Sequence, residues 1–247
     1  MLGGAAARSA EKLKAKLITI ASHSLGIETD KLTYASGDVL ASDGRKHTWQ
    51  DAVELAHRQF HNLPEGMDPG LAAFDIMQVP TGNALPVDGK VHMYPCYSFE
   101  FHLVLLAFDP VIGRPEIHSY TVGHDCGTVI NPAIVSGMTY GGIAHGIGAA
   151  LLEEFAYDPN GQLMTQSFLD YLMPSSHEVP PIQIVKHCTP SPHTVFGQKG
   201  SGESGYLGAP AAISSAINDA VSALDIRFEK LPIRMSAISD AIANKSA

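Results

Sequence analysis

Apolar residues recur at three- and four-residue steps from Ala5 to Ser22, where Ala6, Ala10, Leu13, Leu17, Ile20 and Ala21 are interleaved with Lys12, Lys14 and Lys16. That spacing predicts an amphipathic helix. The helix begins almost at residue 1 with no strand or hairpin before it to complete a core, which is odd for a self-contained domain. A second helix is predicted from Thr48 to Phe60: Thr48 suits the N-cap, Asp51 falls in the first turn, and Ala52, Leu55, Ala56 and Phe60 share one side. Between Phe60 and Gly89 the period fades into a stretch rich in Pro, Gly and Asp, read as a long loop that is functional or covers a partner.

The middle of the chain changes to a two-residue period. Phe99, Phe101, Leu103, Leu105 and Ala107 are the apolar odd positions of a strand over Tyr97 to Phe108, and Asp109 to Gly113 supplies a turn before a returning strand at Glu116 to Thr121. Asp158-Pro159-Asn160-Gly161 predicts a second hairpin turn, between Phe155–Tyr157 and Leu163–Thr165. Between the two turns, Pro132 to Phe155 has a helical pattern broken by Gly137, Gly141, Gly142, Gly146 and Gly148. Glycine costs a helix about 1 kcal/mol per residue, so these five need a packing reason: close approach of another backbone or of a bulky ligand. The last helix is predicted at Ala209 to Leu224, with Pro210 in its first turn.

The chain of 247 residues is long enough to bury a core without staples. Charged residues make up 17% of it, below the roughly 25% of ordinary soluble domains, which fits contact with other subunits or a large, well-buried monomer. The formal charge of -9 disfavours a nucleic-acid binder or a polybasic membrane-surface protein. Cys96, Cys126 and Cys188 are too few and scattered for a disulfide scaffold, so a reducing compartment is the default. No secretory layout is present at the amino terminus, and no apolar stretch spans a membrane free of charges or glycine clusters, so a cytoplasmic protein is expected.

Candidate chemistry concentrates in Gly197-Gln198-Lys199-Gly200-Ser201-Gly202-Glu203-Ser204-Gly205, directly before the last predicted helix. Four glycines in nine residues allow close approach of a ligand, and backbone amides near a helix N-terminus favour anionic oxygens. A phosphate-bearing or oxyanionic ligand follows, with Glu203, the only carboxylate there, as a candidate general base. The string formally matches GxGxxG, but the Pro-rich residues before it make a poor strand for a dinucleotide site. Lys199 precedes Gly200, the wrong order for a phosphate-binding GK loop, and Ser204 lacks the final glycine of a nucleophile elbow. A solvated turn with an incidental glutamate remains the plain alternative. The twelve histidines are dispersed, and His92, His102, His118 and His124 lack the spacing of a helical metal pair. Cys126 reads as a buried small residue.

Taken together, the second half resembles the carboxy-terminal molybdopterin-binding region of the xanthine oxidase family of molybdenum hydroxylases, in particular the bacterial large subunits related to carbon monoxide dehydrogenase. The strings that carry the likeness are His124-Asp125-Cys126-Gly127 through Ile130-Asn131-Pro132, Gly141 to Gly148, Leu151-Leu152-Glu153-Glu154, Asp170 to Pro174, Thr189-Pro190-Ser191-Pro192 and Gly197 to Glu203. The resemblance implies an α+β fold of mixed helices and antiparallel hairpins. It makes residues 1–247 one partial molybdopterin-binding region, helical and loop-rich over about 1–90 and motif-bearing over 91–247. It also implies an oxidative hydroxylation of an electron-poor carbon with oxygen from water. Glu203 matches the family's base, and Lys199, Gly200, Ser201 and Gly202 would line the cofactor, a molybdenum-molybdopterin in its cytosine dinucleotide form.

Two positions depart from the family pattern: Met138 and His145 stand where glutamine is usual, and a thioether cannot replace an amide's paired donor and acceptor. Family large subunits are also much longer. The resemblance therefore implies a split subunit, with a separate polypeptide carrying the rest of the molybdenum domain and further subunits carrying iron-sulfur clusters and FAD. Electrons leave the metal through those, and a small-molecule substrate, not a nucleic acid, is the other partner. The competing expectation is a noncatalytic scaffold or assembly subunit that keeps the fold while its partner holds the active site.

Overall fold

The computed structural model describes residues 2–78, 86, 88–91 and 93–246. Part of the long loop predicted between Phe60 and Gly89, and His92, lie outside the described residues. The chain forms two compact units, residues 1–81 and 82–247.

In the first unit, α1 (Leu2–Leu25) extends the predicted helix at both ends. Its Leu17 and Ala21 are buried against Leu32, Val39, Ala41 and Ala52. Those partners include a small antiparallel sheet the periodicity did not reveal, β1 (Leu32–Ala35), β2 (Asp38–Ala41) and β3 (Lys46–His47). Its strands, none longer than four residues, are too short to register as a two-residue period. The next helix, α2 (Trp49–His57), starts as expected: Thr48 Oγ1 accepts from the Asp51 N–H, and the Asp51 carboxylate accepts from the Thr48 N–H.

In the second unit, β4 (Phe99–Asp109) and β5 (Arg114–Asp125) form the predicted hairpin, its returning strand extended at both ends. β6 (Ile182–His187) adds to β5 in parallel, giving the order β4-β5-β6. The sheet is therefore mixed rather than purely antiparallel. Three helices, α3 (Pro132–Leu151), α4 (Ala209–Ala220) and α5 (Met235–Ser246), join one core with it, built on Tyr120, Val122, Ile143, Ile147, Ile213, Ile217 and Ile238.

Val104, Leu106 and Phe108 pack on that core, so β4 turns its even positions inward. Phe99, Phe101, Leu103 and Leu105 point out, each 58 to 66% exposed. α4 ends at Ala220 with a short 3-10 turn after it, and α5 follows, so the helix expected to be last is not. At the second predicted hairpin the turn forms, with the Asp158 carboxylate accepting from the Asn160 and Gln162 N–H groups. Its flanks pair through one bridge, Tyr157 to Leu163, and Phe155 leans on the Tyr171 ring while Tyr157 and Met164 stay exposed. Among the described residues no helix is long and apolar enough to cross a membrane.

Candidate active site

The glycine-rich loop is tied to the end of β5 by backbone bonds. Lys199 N–H donates to the Cys126 carbonyl at 2.7 Å, and Thr128 N–H donates to the Gly197 carbonyl at 3.1 Å. Beneath them lies Asp125, whose Oδ1 accepts from the N–H groups of Gly127 at 2.8 Å and Thr189 at 3.1 Å. Its Oδ2 takes the Thr189 hydroxyl and lies 3.3 Å from Lys199 Nζ. Burial pushes the Asp125 carboxyl up, but the Thr189 hydroxyl, the two N–H groups and the lysine outweigh it and hold it below the usual carboxylate range. Cys126 is buried, which pushes its thiol up, as a packing residue requires.

Beyond Lys199 the loop opens onto a cavity of about 610 Å³. Gly200, Gly202 and Glu203 form one side, and Cys96, Glu100 and His102 lie on another. Lys199 and Ser201 turn away from it. The lysine side chain is only 6% exposed and donates to Thr189 Oγ1 at 2.6 Å, while Ser201 Oγ meets Ser204 Oγ at 2.6 Å. Of the five expected site residues, Gly200, Gly202 and Glu203 meet the cavity, and Lys199 and Ser201 are drawn off it by these bonds. Glu203 is exposed. Among the described residues, the backbone N–H groups from Gly200 to Glu203 make no hydrogen bond within the chain.

Under the cavity is a cluster that the sequence reading did not assemble. Glu100 accepts the Gly205 N–H on Oε1 at 2.9 Å and Oε2 at 2.8 Å. Oε2 is 3.3 Å from His102 Nε2. Oε1 is 2.8 Å from His124 Nδ1, in ion-pair range but off the hydrogen-bond line. His102 Nδ1 meets the buried Tyr120 hydroxyl at 2.8 Å, and His124 Nε2 meets Ser201 Oγ at 3.3 Å. Burial raises the Glu100 carboxyl, but the His102 bond, the Gly205 N–H and the two histidines together hold it below its ordinary value. Burial, then the Glu100 charge, push Tyr120 up. A signal for the cluster was present: Glu100 and His102 share the inward face of β4 with Val104, Leu106 and Phe108.

The glycines of α3 divide into two groups. A Cβ at Gly142 would fall on the Ser204 carbonyl oxygen, and one at Gly146 on the Ala209 side chain. Gly148 makes room for the Glu153 carboxylate, whose other oxygen takes the Tyr171 hydroxyl at 2.6 Å. Close packing of the loop and its neighbours explains these three. Gly137 and Gly141 have no atom within 4 Å of a Cβ position. Met138 and His145 are exposed on the same helix, the latter 5.3 Å from the Tyr206 ring, and neither lines the cavity.

Residues 1–180 match the molybdopterin cofactor-binding domain model. The chain is 33% identical over 235 residues to the nicotine 6-hydroxylase large subunit of Paenarthrobacter nicotinovorans, covering 93% of this chain and 27% of that one. It is 30% identical over 230 residues to the carbon monoxide dehydrogenase large chain of Afipia carboxidovorans, again covering 93% and 27%. The crystal structure of a Cu,Mo-CO dehydrogenase superposes on the whole chain with a TM-score of 0.77 at 27% identity, using 29% of its own chain. Quinoline 2-oxidoreductase from Pseudomonas putida 86 superposes on 96% of the chain, and on 29% of its own, with a TM-score of 0.74 at 31% identity. The chain thus spans little more than a quarter of the length of these relatives, and the whole-chain superposition takes in the Glu203 turn that the family model stops short of. On the matched span, the motif strings and the shared α+β architecture, this chain belongs to the molybdopterin cofactor-binding domain family of the molybdenum hydroxylases.

Proposed function

We propose that this chain is one component of a heteromeric molybdenum hydroxylase that hydroxylates an electron-poor carbon of a small molecule with oxygen from water, and that Glu203 is its general base. The observation that carries this reading is the exposed Glu203 carboxylate on the cavity wall, beside a run of backbone N–H groups that find no acceptor among the described residues. Such a run, just ahead of α4, suits an anionic group, and Gly200 and Gly202 leave the backbone open to it, with no atom within 4 Å of a Cβ position. These residues fit a molybdenum-molybdopterin cofactor, in a cytosine dinucleotide form whose phosphates suit the glycine turns. When bound, that group supplies the two-electron oxidation and makes its water-derived oxygen acidic.

Within this chain, a carboxylate oxygen of Glu203 takes the proton, and the N–H groups of Gly200 to Glu203 orient the anionic part of the cofactor. Lys199 and Ser201 line the cofactor wall from behind: one side chain fixes the loop to Asp125, the other to Ser204 and His124. The rest of the molybdenum domain is supplied by further polypeptide, and iron-sulfur and FAD subunits carry the electrons away. Support for that assembly is the outward apolar stripe of β4 and the strong exposure of Phe168 and Leu169, at 80% and 90%. Free thiols at Cys96, Cys126 and Cys188 agree with the cytoplasm as its setting.

Glu203→Gln in the assembled complex tests the base. It keeps size and loses the basic oxygen, so turnover is expected to fall at least about a hundredfold, as removal of a general base does. Near-normal turnover in a complex with full molybdenum content would instead leave the chain a scaffold.

A further inference from the structure

We infer that Glu100 is the positioning residue of the Glu203 turn: through its bonds to Gly205 and its contacts with His102 and His124, it sets where the Glu203 carboxylate stands. This rests on Glu203 being the base. Both Glu100 oxygens take the Gly205 N–H, two residues past Glu203. Two residues before Glu203, Ser201 is held by His124, which itself contacts Glu100. A third hold comes from His102, whose ring lies where a Cβ of Gly208 would stand. One carboxylate, 14% exposed as a side chain, thereby reaches both ends of the turn from β4.

The hydrogens follow from the acceptor-only character of an ionised carboxylate: His102 Nε2–H points at Glu100, and in the neutral ring Nδ1 accepts from Tyr120. Gly205 has φ of +81°, which a side chain rarely adopts, and a Cβ there would fall on the Thr139 carbonyl oxygen of α3. The Gly205 N–H is therefore caught between α3 and Glu100, and the turn has little freedom to find another acceptor. A base must stand within hydrogen-bond reach of the proton it takes, and displacement by about 1 Å can cost a hundredfold in rate.

The test compares Glu100→Gln and Glu100→Asp in the full chain, purified with the polypeptides that accompany it. The amide replaces one of the two oxygens that take the Gly205 N–H with a donor, leaving a single acceptor for Gly205 and His102 to share. The shorter Asp keeps the charge between the histidines while drawing its oxygens back, so it remains informative if the amide misfolds. Both should speed hydrogen exchange at the Gly205 amide at least about tenfold. Both should lower kcat at least about tenfold while KM stays within about twofold, a split that general loosening would not produce. Unchanged Gly205 exchange overturns the inference. So does faster exchange with normal kcat in a complex where Glu203→Gln is inactive. If Glu203→Gln is itself fully active, the base reading fails and the positioning role falls with it, while Gly205 exchange still reports whether Glu100 holds the loop.

Discussion

Asp125 and Lys199 exclude each other's charge from solvent, the carboxylate 8% and the ammonium-bearing side chain 6% exposed. Breaking a buried pair leaves one charge uncompensated, so Asp125→Asn should cost about 3 kcal/mol, measured by denaturant unfolding of the full chain. Its pKa is depressed by folding, so the stabilisation is complete above the ordinary value of 3.8 and lost as the pH falls through the folded value; the variant should flatten that acid limb. The same pair limits what was legible at this scale. A lysine among glycines reads as a ligand-facing cation, and only the fold shows it turned onto Asp125, 74 residues away in sequence. Glu203 was legible because it is the one carboxylate among small residues. Glu100 was not, because its Gly205 partner is 105 positions distant and the odd apolar stripe of β4 drew attention to the other face.

Helix α3 shows how glycines record contacts at the scale of an element. Gly142→Ala would place a methyl on the Ser204 carbonyl oxygen and should destabilise by about 1–3 kcal/mol, the usual cost of overpacking. Gly137→Ala meets nothing within 4 Å and should instead stabilise by about 0.5–1 kcal/mol through helix propensity. Thermal unfolding of the two variants side by side checks both signs. The need for close packing on this helix was readable from five costly glycines; which of them meet the loop was not. Elements with strong periodicity, α1, α2, α3 and the β4–β5 hairpin, were readable too. β6 escaped because a six-residue strand behind Pro180-Pro181 offers too few repeats to establish a period, and α5 because its inward stripe rests on just Ile238 and Ile242.

At the scale of the molecule, the sheet of the second unit packs its core on one side, and among the described residues no apolar cluster covers the other. Its outer side carries Phe99, Phe101, Leu103 and Leu105 in a row, where a soluble monomer would place polar groups. A charge at Phe101 or Leu103, both exposed, should leave the chain's own fold intact but prevent the proposed assembly. Phe101→Glu and Leu103→Glu are expected to keep the far-ultraviolet circular dichroism of the parent while losing the copurifying polypeptide. Retention of that polypeptide at parental yield would place the interface elsewhere.

Because β4 is the border strand of its sheet, the same row is accompanied by a rim of main-chain groups with no neighbouring strand among the described residues. A greasy stripe along an open rim invites copies to zip onto one another. Dosage therefore matters: any copy whose rim and row stay uncovered is a seed for clumping, and the tendency should rise with the concentration of the chain.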